Sequence, residues 1–516
     1  MIAPEGKHPL LSLAKAAQRR ILYPFASATA LLLLVGSCSA YDEGGPVRVA
    51  AIGEVEKSAN LAKGKVSSAT MVLLDATAQG LVSFDGEGQI EPGLAERWTV
   101  TADGRSYIFR IREAKWPNGK KVTAQQVAAA LKSYLAPRSR HPLREDFVEV
   151  ENIHAMTDSV IEIRLSVPQP FILELLAQPA MAIAAPGSDW DRGWGPMRVH
   201  PRGNMLRFTP IADPLAEDTE AAEARANDPA RSVDMIATTA PRALARFKNG
   251  YADAVLGGSY ATLPYFQSSG IARNRLLIDP VAGLFGLAFA NDDGFLAEPA
   301  HRAALASLIR ADRLIKAFDL SDWLPQSGLR PAATGRSALT TAPVPTWTTE
   351  EEESRLSGTR QLISQWKADG HSMAPLRIAL PDGPGSLILF AYIAADLARA
   401  DVKAVRVGLD APADLRLIDE VAPNDDAIWP IRRLNCRADT LCSESLAAQI
   451  DKANAHIDNG QRLELIAETE AQMMQYAAFI PLAVPLRWSV TSLRLTGLRP
   501  NSRAHHPLNR LIATPN

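Results

Sequence analysis

A chain of 516 residues exceeds what one hydrophobic core supports and is long enough for two or three domains. Its 47% hydrophobic and 22% charged residues belong to an ordinary globular protein, which excludes a disordered or low-complexity chain. A formal charge of −2 without a basic stripe excludes a nucleic-acid surface.

The chain begins with a basic pair, Arg19-Arg20, then an apolar run over residues 21–35, then Gly36-Ser37 before Cys38. Positive, apolar and small residues in that order describe a secretory signal. The run is too short, and too interrupted at Tyr23-Pro24, for a membrane-spanning helix of about 20 residues. Val35-Gly36-Ser37-Cys38 is similar to a bacterial lipobox, so residues 1–37 are expected to be removed and Cys38 acylated. An uncleaved anchor, or an ordinary signal with an incidental cysteine, is the alternative. The segment before Cys38 carries Lys7, Lys15, Arg19 and Arg20 against Glu5, so the remainder is more acidic than the whole chain.

Residues 38–46 form a polar tether, and Val47 to Ile52 reads as a strand. Tyr107, Phe109 and Ile111 alternate with less apolar neighbours, as do Ile161, Ile163 and Leu165, the period of half-buried strands. Asp85-Gly86, Asp103-Gly104 and Asn118-Gly119 supply turns between them. Thr123 and Gln126 are spaced as a capping box, opening a helix with the stripe Val127, Ala130, Leu131, Tyr134 and Leu135. Residues 211–232 read as an acidic surface segment, 302–318 and 354–368 as amphipathic helices, and 337–353 as a loop. Residues 443–457 and 461–477 read as helices broken at Asp458-Asn459-Gly460. Mixed strands and helices throughout predict an α/β or α+β protein of more than one lobe.

Beyond Cys38 the remaining cysteines are Cys436 and Cys442. An even remainder in an oxidising compartment predicts one disulfide closing a small loop; free thiols or half a metal site are the alternatives.

Several segments, in order, resemble the family-5 extracellular solute-binding proteins, the peptide- and nickel-binding subunits of bacterial ABC importers. They are residues 80–85, Ile90 to Trp98, Asp103 to Arg112, Trp116-Pro-Asn-Gly119 and Val122 to Val127. Gly193-Trp-Gly-Pro-Met197 is similar to the family's GxGPY turn, with Met197 in place of the tyrosine. Phe247-Lys-Asn-Gly-Tyr-Ala-Asp253 resembles its F-x-x-G-x-x-D step, and His301 to Leu305 with Ile309 to Arg313 its Rx(A)L helix. Phe479-Ile-Pro-Leu482 and Gly497 also fit.

The resemblance implies an α/β, two-lobed periplasmic-binding-protein fold (type II, cluster C-like) with an inserted subdomain in the first lobe. Lobe I takes residues 47–275 and 481–516, with the insertion at about 65–185, and lobe II takes 276–480. It also implies a monomer outside the cytoplasm, held to a membrane through Cys38, that closes on a peptide or similar small solute and delivers it to ABC permease subunits. Neither a cofactor nor catalysis is implied, and no GxSxG elbow, Walker loop or HExxH helix is present in the sequence. The other reading is a degenerate binding-fold protein, an envelope sensor or interaction component without transport, suggested by Met197 and by the wording around Asp425.

In peptide-binding members an aspartate shortly before a cysteine pairs with the ligand's α-amino group; here Asp425 or Asp426, ahead of Cys436, is the counterpart. A carboxylate shielded by closure holds an ammonium strongly, although a solvated turn is the alternative for this segment. Trp429 and Trp323 suit apolar walls, or simply the core. Ile52 and Gly53 end the first strand, where backbone groups can line a cleft. Arg432 suits a ligand carboxylate, with a solvated surface arginine the alternative. Nine histidines are scattered except for His505-His506, too few together for a chelating set, so no metal is expected.

Overall fold

The structure is a computed structural model that describes residues 45–513 except 57–60, 65, 186–192, 213–217, 331–344, 346, 348–349, 438 and 456–458. The signal segment, Cys38 and most of the tether lie outside the described residues.

A seven-stranded sheet runs in the order Leu276–Ile278, Arg487–Thr491, Ala254–Ser259, Val47–Ile52, Val233–Thr238, Met205–Pro210, Met197–Arg202. Val47–Ile52 lies at its centre, parallel to both neighbours and in register from Val47 opposite Val233 to Ile52 opposite Thr238. A parallel strand covered on both faces reads as a nearly continuous apolar run, which accounts for Val-Arg-Val-Ala-Ala-Ile. Its one charge, Arg48, is answered by Asp253, which is 0% exposed. Arg48 Nη2 lies 2.9 Å from Asp253 Oδ1 and Arg48 Nε 3.1 Å from Oδ2, while Arg494 Nε reaches Oδ1 at 3.0 Å. The aspartate of the F-x-x-G-x-x-D step thus ties the first described strand to a C-terminal arginine.

A five-stranded sheet follows, in the order Ala404–Val407, Leu376–Ala379, Leu415–Val421, Gly283–Phe289, Phe479–Ala483. The chain passes from the first sheet to the second through residues 279–282 and returns through 484–486. A four-stranded antiparallel sheet, Ala95–Val100, Ser106–Ile111, Val160–Leu165, Val150–Ala155, is inserted between strands of the first. Its core joins Tyr107, Phe109, Ile111, Ile161 and Ile163 to Val127 and Leu131 of the helix Ala124–Leu135. The capping box at Thr123 is formed, and Gln126 Oε1 also accepts from Trp116 Nε1 at 2.8 Å. Contacts make the described residues one compact unit.

Gly193 and Gly195 are required by a close approach. A Cβ on Gly193 would stand 2.2 Å from Ala78 Cβ, and one on Gly195 2.4 Å from the Thr77 carbonyl carbon. The turn therefore packs directly on the end of the helix Ser68–Thr77, and Met197 enters the core beside it.

The single helix expected over 302–318 is instead two, Pro299–Leu308 and Ala311–Lys316. The break follows from buried polar groups. Asp396, 1% exposed, accepts from the Arg310 backbone N–H at 3.0 Å, drawing the chain out of helix there. Arg302 is equally buried and donates to the carbonyls of Leu296 and Tyr476, both at 2.7 Å. Within residues 211–232 the helix Thr219–Ala226 forms without a buried residue, as a surface segment does.

Candidate ligand-binding site

In open α/β sheets ligands lie outside the carboxyl ends of parallel strands. Those ends are Ile52, Thr238 and Gly257-Gly258-Ser259 in the seven-stranded sheet, and Ala379 and Val421 in the five-stranded one. The two sheets meet there. Gly385 N–H donates to Ala261 O at 3.0 Å, and the Tyr260 and Ser386 hydroxyls are 2.8 Å apart. Gly383 and Gly385 permit this approach, because a Cβ on either would fall 2.7 and 2.1 Å from the carbonyls of Ala261 and Tyr260. Burial pushes the Tyr260 phenol well above its ordinary range, so it stays protonated. Arg487, opening a strand of the first sheet, places Nη1 2.8 Å from Asp419 Oδ1 in the second.

A second band of contacts joins the inserted sheet's flanks to residues 423–462. Arg432 Nη2 is 2.6 Å from Glu149 Oε1, which also accepts from Asn454 at 3.4 Å. Arg437 pairs with Glu145, and with Asp146 at 3.2 Å. Gln178 donates to Pro423 O and the Asp425 N–H to Glu174, both at 2.7 Å. Arg503, from the C-terminal segment, bridges Glu174 at 3.1 Å and Asp425 at 2.9 Å. Burial raises the Asp146 carboxyl to about 6 against the pull of Arg437 and Arg432, with Glu420 adding to the rise. Glu174 is likewise raised by burial.

The residues singled out in the sequence fall into three places. Asp425, Asp426, Arg432 and the bridge Cys436–Cys442 belong to the second band. Asp425 is 62% exposed in its side chain and held by Arg503. Asp426 is buried, paired with Arg462 at 2.8 Å, and accepts from Ile428 N–H at the start of the helix Trp429–Leu434. Cys436 and Cys442 are joined, S–S 2.02 Å, closing the loop that carries Arg437. Ile52 and Gly53 stand at the strand ends, where the Gly53 N–H donates to Thr238 O and φ is 123°, a region that favours glycine.

Trp323 and Trp429 lie in hydrophobic cores instead of on an open wall, each 4% exposed. Trp323 meets Phe285 and Phe318 edge-on and donates Nε1–H to Val484 O at 2.8 Å; Trp429 packs in the cluster of Leu284, Ile418 and Met473. His506 faces Asp279 at 3.2 Å and His505 faces Asp75 at 3.3 Å, two carboxylates and not one shared centre. Among the described residues no group of three or more His, Cys, Asp or Glu is placed to hold a metal, and no helix is long and apolar enough to cross a membrane. Glu149, Asp146, Glu174 and Arg503, which make most of the second band, carry no sequence signal: Arg432 and Glu149 are 283 residues apart.

Residues 89–204 match the family model described as bacterial extracellular solute-binding proteins, family 5 Middle. Among curated proteins the chain is 27% identical over 150 residues to the probable deoxycholate-binding periplasmic protein YgiS of Escherichia coli, covering 24% of this chain and 28% of that one. It is 36% identical over 83 residues to the periplasmic oligopeptide-binding protein OppA of Haemophilus influenzae, 16% of this chain and 15% of that one. By sequence, then, the chain spans under a third of these relatives' length. The structural likeness is far more extensive. Haemophilus influenzae OppA in complex with the peptide RPPGFSPFR aligns with TM-score 0.77 at 16% identity, over 91% of this chain and 99% of that one. The Escherichia coli murein tripeptide binding protein MppA aligns at 0.74 and 17% identity, over 91% and 98%, whereas its unliganded open form aligns at 0.61 and 16%, over 91% and 97%. Identities this low establish the fold.

Proposed function

We propose that the chain, whose residues 89–204 match the family-5 extracellular solute-binding model and whose fold aligns with that of a peptide-complexed relative, captures a peptide or similar small solute and presents it to the permease of an ABC importer. The observation that carries this reading is the alignment over almost the whole of a peptide-complexed relative. In the proposed mechanism the parts built on the two large sheets act as lobes that turn about residues 279–282 and 484–486. Closure brings the strand ends together at Tyr260 and Gly385 and makes the ion pairs of Arg432, Arg437 and Arg503. A solute touching both lobes adds to the closed state alone, so it shifts the population toward the shape a permease engages. The better alignment with MppA in the form other than the open one supports a closed arrangement of this chain.

Cys38 is the proposed attachment point outside the cytoplasm, and several acyl chains hold far better than one. Asp425 is the proposed partner of a ligand ammonium. Thermal unfolding against a panel of di- and tripeptides tests the reading: a ligand at 100 times its Kd adds about 2.7 kcal/mol of stability. No shift with any peptide removes peptide capture and leaves the fold untouched. One observation favours the second reading, a binding-fold protein serving as a sensor or interaction component: Asp425 is already occupied by Arg503.

A further inference from the structure

Apart from the contacts just described, a groove of about 450 Å³ opens between the end of the strand Val233–Thr238, the turn bearing Asn204, and the helix Ala240–Lys248. Two of its lining residues, Arg242 and Arg246, stand four positions apart on that helix and so share a face. No carboxylate lines the groove. Among the described residues neither arginine forms an ion pair, and Arg246 Nε is shielded from water without a hydrogen-bond partner. Elsewhere the arginines Arg207, Arg432, Arg433, Arg437 and Arg487 all meet a carboxylate. Asn204 and Asn249 add neutral donors, Ile236 an apolar wall, and Tyr251, 63% exposed, a ring at the rim.

We propose that this groove binds a small organic phosphate monoester, its charged end between Arg242 and Arg246 and its carbon body against Ile236 and Tyr251. Two guanidinium forks with no protein carboxylate to neutralise them match a doubly charged oxyanion, and the fork geometry fits phosphate oxygens two at a time. The size argues for a body on the phosphate. A groove of about 450 Å³ is larger than a bare phosphate fills. The groove shares Thr238 with the strand ends but none of the residues that join the two sheets, so the proposal does not depend on what the strand-end site binds.

Calorimetric titration of the full chain with phenyl phosphate at low ionic strength tests it. Binding is expected, weaker for inorganic phosphate, and weakened by added salt as exposed charges are screened. Arg242→Gln and Arg246→Gln should each weaken it by about tenfold or more, the loss of a charged hydrogen bond. Lys248→Gln, on the same helix but outside the groove, should leave it unchanged, and unaltered thermal melts should show that all three variants are folded. Absence of heat with phenyl phosphate, or undiminished binding in both arginine variants, overturns the proposal. So does equal affinity for inorganic phosphate, since the carbon body then contributes nothing. Flotation with phosphatidylglycerol vesicles, lost in the arginine variants while phenyl phosphate fails to bind, also overturns it by assigning the arginines to a membrane surface.

Discussion

Two clusters of arginine and carboxylate do opposite work in this molecule. Around Asp253, Arg48 and Arg494 converge on one fully buried carboxylate; Arg48 lies in a strand of the seven-stranded sheet, and Asp253 and Arg494 lie just beyond the ends of two others. Between residues 145–149 and 432–437 the pairs join segments that neighbouring sheets supply, and the Arg503 bridge ends on the exposed Asp425. The first cluster survives any turning about residues 279–282 and 484–486, whereas the second must break if the two large sheets part. On the proposed two-lobe mechanism, similar chemistry serves as a permanent rivet in one place and as a clasp in the other, and the difference lies in which parts of the chain are joined.

The largest expected effect comes from breaking the rivet. Asp253→Asn removes the fully buried carboxylate that Arg48 and the buried Arg494 share, a loss of about 3–5 kcal/mol. Denaturant unfolding measures it. A loss below about 1 kcal/mol would mean that water or other groups reach these arginines, and the contrast with the clasp would collapse.

Asp253 was legible only through the resemblance, as the end of the family's F-x-x-G-x-x-D step. The capping box at Thr123 and the alternation through Tyr107, Phe109 and Ile111 were legible locally, from spacing within one element. The clasp was not. Arg432 stood out as an arginine, but Glu149 lies 283 residues away and charge pairing leaves no periodic trace along a chain. The burial of Arg302 left no signal either: it opens a segment that reads as an amphipathic helix, yet its guanidinium is spent on carbonyls inside the fold. The two tryptophans suited a wall, with the core the commoner place for such residues, since sequence distinguishes a large apolar ring from a small one but not which side of it faces water.

A second expected effect concerns pH. Burial holds the Asp146 carboxyl at about 6 against 3.8 for the free group, so the folded state binds its proton more tightly than the unfolded chain does. The group's stabilising contribution is therefore complete below pH 3.8 and is lost as pH rises through about 6. Asp146 faces Arg437, Arg432, Glu145 and Glu420, and only its charged form makes a full ion pair with Arg437. Relative to Asp146→Asn, the native chain should lose on the order of 2 kcal/mol of stability across that interval. Parallel pH profiles of the two proteins would show the carboxyl to be solvated, and the clasp looser than drawn.

Next in size is the loop that carries Arg437. Replacing Cys436 and Cys442 by alanine removes the constraint on a short loop, costing about 2 kcal/mol in the chain-entropy account. Because Asp439 of the same loop pairs with Arg433 at 2.9 Å, the variant should also loosen the Arg433 to Glu420 contact. Small-angle scattering of the unliganded variant should show a larger radius of gyration than the native protein if this loop steadies the clasp. An unchanged radius with lowered stability would confine the bridge to local folding.

The smallest effect on stability is expected at Arg503, and it discriminates most between the two functional readings. Asp425 is largely solvated, so its pair with Arg503 contributes at most about 1 kcal/mol after screening. Arg503→Gln should lower the melting temperature only modestly, a glutamine amide still able to donate to the partly buried Glu174, while Glu174 and Asp425 lose the guanidinium that bridges them. If Asp425 takes the ammonium group of a peptide, that guanidinium is its competitor, and the variant should bind peptides more tightly than the native chain while N-acetylated peptides gain nothing. If instead the bridge is simply part of the clasp, its removal weakens closure and peptide affinity falls for free and acetylated peptides alike. The sign of the change in affinity, read beside the melting temperature, decides whether Arg503 occupies a ligand's place or fastens a lid.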